Sequence, residues 1–255
     1  MFKITKYVIY DILRNKVLLA YAIFLMVISF TLFNFDADAS KSIASLNSIV
    51  MIMVPLISIV FSTTYFYNSL EFIELLVAQP LSRTTIILGE FAGVALSMLT
   101  AFMIGIGMPV LIFSFDSTGF VLIASGCALT LVFTSLAFLA SVLTRDKAKG
   151  IGVALLIWFY FSILYDGLVL AILFAFSDYP LEKLLIFLTA LNPIDMARIL
   201  ILLKLDISAL MGYTGALYQD FFGKSTGMIF SFVMMSFWIL IPLLWSVRVF
   251  KRKNL

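Results

Sequence analysis

The chain has 255 residues, of which 63% are hydrophobic and only 12% charged, with a formal net charge of +3. A soluble domain carries about a quarter charged residues, so this composition, with a mean hydropathy of +1.15, excludes a soluble fold and points to an integral membrane protein. There is no histidine and one cysteine, which excludes Ser–His and Cys–His nucleophile pairs, HExxH zinc motifs and an internal disulfide.

The start, MFKITKYVIYDILRNK, reads as a cytoplasmic amphipathic helix over 1–16. It is not read as a secretory signal, because the apolar run after it lacks a small-residue cleavage site and more spans follow. About 20 helical residues are needed to cross roughly 30 Å of hydrocarbon. Six segments are placed as spans, at about 17–33, 46–67, 91–115, 120–143, 151–176 and 227–248, the first of them short and needing residues beyond its core to cross. Their apolar runs are continuous and do not alternate, so the spans are helices, and the fold class is an all-α membrane protein built as a single domain.

Between spans two and three the oil stops. Residues 68–90, NSLEFIELLVAQPLSRTTIILGE, hold three glutamates, an arginine and a proline. The spacing predicts a short helix over 69–79, with Ser69 as its cap and Glu71 in its first turn. Leu70, Ile73 and Val77 share one face, widened by Leu75 and Leu76. Glu71 and Glu74 share another. Pro80 ends this helix, and Ser82–Arg83–Thr84 lead into span three. The expected result is a cytoplasmic helix on the membrane surface, held between two spans. The plain alternative is a polar connector.

Within span three, Gly105, Gly107 and Pro109 read as a packing and bending device. Cys127 reads as a small packing residue. Asp166 is the one ionisable residue that this reading places inside a span, near the outer part of span five. Intramembrane acids are costly and tend to be functional or paired. Two readings stay open: Asp166 lines a cavity or pairs across a dimer, or the span ends there and it reaches interfacial water.

The segment 177–226 is the long external connection. Within it, 192–223 reads as an external amphipathic unit. Asn192 can cap a helix and Pro193 suits its first position. Asp195, Arg198 and Lys204 are expected to be wet, and Asp195 can pair with Arg198 three residues on. A second helix would include Met211, Gly212, Tyr213 and Gly215, whose glycines permit close helix approach. This unit is either an outer gate and docking surface or an interfacial lid. The methionines form no repeated ladder, and without histidine a copper site is not expected; no metal or other cofactor is assigned to the chain.

Lysine and arginine set the orientation. Twelve of the 17 fall on the side of Lys3, Arg14, Arg83, Arg145 and Lys251, against five on the side of Lys41 and Arg198. The first side is therefore expected to be cytoplasmic, with both termini inside. The charge reflects topology, and no nucleic-acid partner is expected. No Walker A sequence occurs, so ATP hydrolysis by a P-loop is not a property of this chain.

The run E-F-I-E-L-L-V-A-Q-P-L-S-R between spans two and three resembles the signature of ABC-2 type transporter permeases. The stretches Y-D-G-L-V-L at 165–170, N-P-I-D-M-A-R at 192–198 and L-D-I-S-A-L-M-G-Y-T-G-A at 205–216 are similar to those of the NosY-type permeases of nitrous oxide reductase maturation transporters. The resemblance implies that 68–90 carries a coupling helix, with Glu71, Glu74, Gln79, Pro80 and Arg83 meeting a separate ATPase. It implies that 177–226 is a gate or docking segment, using Asp166, Asn192, Pro193, Asp195, Arg198, Met211, Gly212, Tyr213 and Gly215. It also implies a bacterial inner-membrane location, a second copy of the chain, two ATPase subunits that bind the ATP and magnesium, and a periplasmic accessory protein. An exporter of a drug, lipid or ion, and a scaffold that transports nothing, remain open alternatives.

Overall fold

The computed structural model describes residues 1–35, 39–176, 182–204 and 225–252. Among them there is helix and no strand. The helices are α1 (Phe2–Leu13), α2 (Lys16–Phe35), α3 (Ala39–Asn68), α4 (Leu70–Val77), α5 (Arg83–Phe113), α6 (Ser117–Leu143), α7 (Lys147–Ala175), α8 (Glu182–Ala190), α9 (Pro193–Lys204) and α10 (Ser225–Arg252). Six of these, α2, α3, α5, α6, α7 and α10, are long and apolar enough to cross a membrane.

In lipid the apolar surface of a helix gains little by meeting another helix, so packing depends on close fit and small residues. The spans show this. A side chain at Gly126 on α6 would collide with the Phe102 ring of α5, and one at Gly105 on α5 would meet Leu25 of α2. The central span is α6, which packs against α3, α5, α9 and α10. Of its most apolar window 61% is buried, against 11% for α7, which lies at the periphery.

Both long interruptions inside spans are π turns, at Met103–Gly107 in α5 and Tyr160–Leu164 in α7. A π turn widens the helical ladder by one residue and frees a carbonyl. In α5 it lies just ahead of Pro109, which has no N–H to give.

Several spans begin earlier than their apolar runs. The most consequential is α5, which starts at Arg83 because the Ser82 side chain accepts from the Thr85 N–H (3.2 Å) and caps it. The segment 68–90 is thus α4, a turn over 78–82 and the first two turns of a span. This brings Glu90 inside a spanning helix, where it is 1% exposed and neither carboxyl oxygen has a hydrogen-bond partner among the described residues. Asp166 is therefore not the only acid within a span. The signal was present in the Gly89–Glu90–Phe91–Ala92–Gly93 run, a small-xxx-small spacing that marks a packed face.

That face receives α1. Ile4, Thr5, Val8 and Ile12 form the buried stripe of α1 at helical spacing. Ile4 lies against Gly89 and Val8 against Gly93, and the Thr5 hydroxyl donates to the Gly89 carbonyl (3.2 Å). The N-terminal helix is in this way fitted to α5 instead of floating beside it.

One end of the bundle gathers basic residues. Arg83 donates to the Lys251 carbonyl (3.3 Å), and Lys147 donates to the Asn68 side chain (2.7 Å). The α2 start at Lys16, the α4 segment and the α6–α7 joint share this basic end. At that joint Tyr67 bonds to Thr144 and lies over Gly150.

Candidate functional site

Two sites emerge from the residues singled out by the sequence, one at each end of the bundle. At the basic end, α3 runs almost without break into α4. Ser69 does not cap with its side chain: its hydroxyl donates back to the Phe66 carbonyl (3.1 Å), and the Ile73 N–H reaches the Ser69 carbonyl (2.9 Å). The helical ladder scarcely stops there, so no orphan amide calls for a side-chain cap.

The buried face of α4 is Ile73 (1% exposed) and Leu76 (8%). Phe72 stacks on Tyr7 of α1, with ring centroids 4.7 Å apart. Leu75, expected on the apolar buried face, is 66% exposed. The reason is register: Glu71, Glu74, Leu75 and Ala78 follow i, i+3, i+4, i+7 and share the outer face, all exposed. Gln79 and Pro80 continue this exposed surface into the turn, while Arg83 is half-buried at the start of α5. The result is a leucine flanked by two carboxylates on a short helix anchored from below by α1 and α5.

At the other end, α8 and α9 form a hairpin bent by 111°. Met196, Ala197 and Ile201 are fully buried, and α9 packs against α6, α10 and α3. The part of α9 that carries the N-P-I-D-M-A-R run is thus inserted among the spans. Asp195, expected to be wet, has a side chain only 15% exposed.

Asn192 organises this corner. It is fully buried. Its Oδ1 accepts from the Ile194 N–H (3.0 Å) and caps α9, with Pro193 in the first position where a missing N–H does no harm. Its Nδ2 donates to Asp195 Oδ2 (3.0 Å) and to the carbonyl of Phe161 (3.0 Å). Phe161 lies in the π turn of α7, which is why that carbonyl is available. Arg198 then donates to Asp166 Oδ2 of α7 (2.9 Å) and lies 3.3 Å from Asp195 Oδ1. The Tyr165 hydroxyl donates to the Leu188 carbonyl (2.5 Å), and Trp238 of α10 donates to the Ala190 carbonyl (3.2 Å).

Asp166, Asn192, Asp195 and Arg198 therefore form one polar cluster that clasps the hairpin to α7. The sequence pointed to the four residues and to the Asp195–Arg198 pair. It gave no sign of Phe161, Tyr165 or Trp238, whose roles depend on backbone atoms far away in the chain. Met211, Gly212, Tyr213 and Gly215 lie outside the described residues. Among the described residues no group of three or more metal-ligating side chains occurs.

The family described as ABC-2 family transporter protein matches residues 13–255. The chain is 30% identical over 223 residues to the "Probable ABC transporter permease protein NosY" of Pseudomonas aeruginosa, covering 79% of this chain and 81% of that protein. It is likewise 30% identical over 211 residues to the protein of the same name from Stutzerimonas stutzeri, covering 74% and 76%. With six helices long and apolar enough to cross a membrane, the chain belongs to the ABC-2 family and is a multi-pass membrane permease.

Proposed function

We propose that this permease serves the maturation of nitrous oxide reductase. It exports a sulfur-containing species, or passes ATP-driven motion, to a periplasmic partner that assembles the copper–sulfur centre. The assignment rests on the NosY name of the relatives and on the resemblance of the 192–198 and 205–216 runs. The working unit is two copies of the chain with two ATPase subunits, which bind the ATP and magnesium. It sits in the bacterial inner membrane with the basic end, and both termini, in the cytoplasm.

The observation that carries the mechanism is α4. A helix whose outer face is Glu71, Glu74 and Leu75, and whose inner face is locked by Ile73, Leu76 and the Tyr7–Phe72 stack, is built to receive a push. The ATPase groove takes that outer face, and Gln79, Pro80 and Arg83 border it. Closure of the ATPases moves α4 together with α1 and α5, because the Tyr7–Phe72 stack ties α4 to α1 and the glycine notches leave no slack between α1 and α5. The tilt reaches α6, against which α9 is packed. The Asn192–Asp166 cluster is the outer gate that this tilt opens, a rigid-body switch between two packings.

The experiment is affinity purification in gentle detergent with Glu74→Lys beside the natural chain. Recovery of a P-loop ATPase and a periplasmic protein with the natural chain, and loss of the ATPase alone in the variant, is the expected result. An ATPase without a periplasmic partner would favour a general exporter of a drug, lipid or ion. No ATPase at all would leave the scaffold reading.

A further inference from the structure

The ends of α6 and α10 leave a cleft of about 290 Å³ at the basic end of the bundle, lined by Val142, Leu143, Arg145, Val249 and Arg252. The proposed transport cycle makes no use of it. Val142 is buried and Val249 half-buried, whereas Leu143, Arg145 and Arg252 are exposed. The inner wall is thus apolar, and the rim carries two guanidinium groups. Ligand sites run from about 300 to 1,000 Å³, so this cleft has room for a small polar group and not for a whole lipid.

A second observation points to an occupant. Along α10, Phe237, Ile241 and Leu244 are exposed at helical spacing, and Arg248 and Arg252 continue the same stripe. Trp245 is exposed beside it, where an indole suits the membrane interface. Leu143, at the end of α6, is 54% exposed. Large apolar side chains exposed on spanning helices meet acyl chains, and an aqueous partner would leave them wet. Leu244 lies about 12 Å deeper than Arg252 by helical rise. That is within the roughly 15 Å of one leaflet's hydrocarbon. The stripe therefore runs from acyl depth to headgroup depth and ends at the cleft.

Charge selects the headgroup. Among the described residues the lining holds two arginines and no acid. The ion pairs among the described residues lie at the opposite end of the bundle, so neither arginine is neutralised by one. Lys147, Lys149, Arg248 and Lys251 add four cations within 145–149 and 248–252, against Asp146 alone. The Asp146 carboxylate accepts from the Lys149 N–H (2.9 Å) at the start of α7 and does not line the cleft. The last carbonyls of α6 and α10 add only partial negative charge, about half a unit each. The surplus is cationic by several charges. A guanidinium takes two phosphate oxygens at once. The surplus repels the ammonium of phosphatidylethanolamine and favours a lipid with net negative charge.

We propose that the cleft between the ends of α6 and α10 holds the headgroup of one anionic phospholipid, with its phosphate on Arg145 and Arg252 and its acyl chains along Leu244 and Trp245. Arg83, at the start of α5, donates to the Lys251 carbonyl (3.3 Å), so the occupant sits one residue from the tie between α10 and the α4–α5 joint. The site stands on the cleft, its lipid-facing stripe and its charge. It does not depend on the cargo, on the partners or on which side of the membrane the basic end faces.

The test uses the full chain with whatever subunits co-purify, reconstituted in nanodiscs of equal phosphatidylglycerol and phosphatidylethanolamine, then read by native mass spectrometry. The natural chain is expected to retain phosphatidylglycerol preferentially. Arg145→Gln with Arg252→Gln is expected to weaken that retention by about thirtyfold, the scale of two basic contacts to anionic lipid. Val249→Trp, which fills the cleft without changing charge, is expected to weaken it as well. Arg14→Gln with Lys16→Gln removes the same charge from the same end outside the cleft and is expected to weaken it far less. Equal retention of both lipids by the natural chain would overturn the site. So would equal losses in the two double variants, since bulk charge and not the cleft would then hold the lipid. Retention of added inorganic phosphate in place of phospholipid would overturn the lipid assignment. Unchanged lipid retention with loss of a co-purifying subunit in Arg145→Gln with Arg252→Gln would make the cleft a protein contact and sink the proposal. Should Val249→Trp fail to fold, the two double variants decide, because all four of their positions lie at the surface or in the turn before α2.

Discussion

Asn192 reaches 31 positions back along the chain to donate to the carbonyl of Phe161 at 3.0 Å. One side chain thereby caps α9, ties it to Asp195 and holds it against the π turn of α7. Replacing Asn192 with Ala would orphan the Phe161 carbonyl and remove the cap in a fully buried corner. The expected loss is about 2–4 kcal/mol, read as a drop in thermal midpoint of the detergent-solubilised protein. An unchanged midpoint would mean the hairpin does not depend on this clasp.

Arg198 is shared by Asp166 and Asp195. Arg198→Met leaves two carboxylates facing one another and is expected to destabilise. Adding Asp166→Asn should restore part of the loss. A double-mutant cycle should give a coupling of about 1 kcal/mol, modest because both partners are a third exposed. Strict additivity of the two substitutions would show that the pair carries no energy.

On α4 the outer face and the inner face should separate cleanly. Leu75→Asp, at a position 66% exposed, should change stability by no more than about 0.5 kcal/mol yet weaken ATPase association in a pull-down. Ile73→Asp, at 1% exposed, should unfold the joint. Equal effects of the two on stability would contradict the register described above.

Gly93 admits no side chain beside Val8: a Cβ there would lie 2.4 Å from Val8 Cγ1. Gly93→Val is expected to cost about 1–3 kcal/mol by overpacking and to lift α1 from α5. Hydrogen exchange of the α1 amides should then quicken while that of α6 stays slow. Uniform exchange across both helices would argue against local undocking.

Glu90 is buried, and neither of its carboxyl oxygens has a hydrogen-bond partner among the described residues. Burial without a partner is unfavourable for a polar group, so Glu90→Met, which removes the unsatisfied oxygens at similar length, should be as stable as the natural chain or more so by about 1 kcal/mol. Marked destabilisation would reveal a partner that Glu90 depends on in the assembled transporter.

The sequence by itself determined the class and the count. Apolar length is a local property, so six helical spans could be read along the chain without knowing what packs on what. The helical spacing of Glu71 and Glu74, the Asn192–Pro193 helix start and the Asp195–Arg198 pair were legible for the same reason, since each is set within one or two turns. Tertiary structure alone decided which faces meet. Lipid tails and leucine side chains are equally apolar, so composition cannot tell a core face from a lipid face. That is why Leu75 was expected on the wrong side of α4, why Glu90 was expected in a connector, and why the Phe161 carbonyl gave no sign in the chain. Their positions follow from glycine notches and a π turn, which act only once distant helices close on one another.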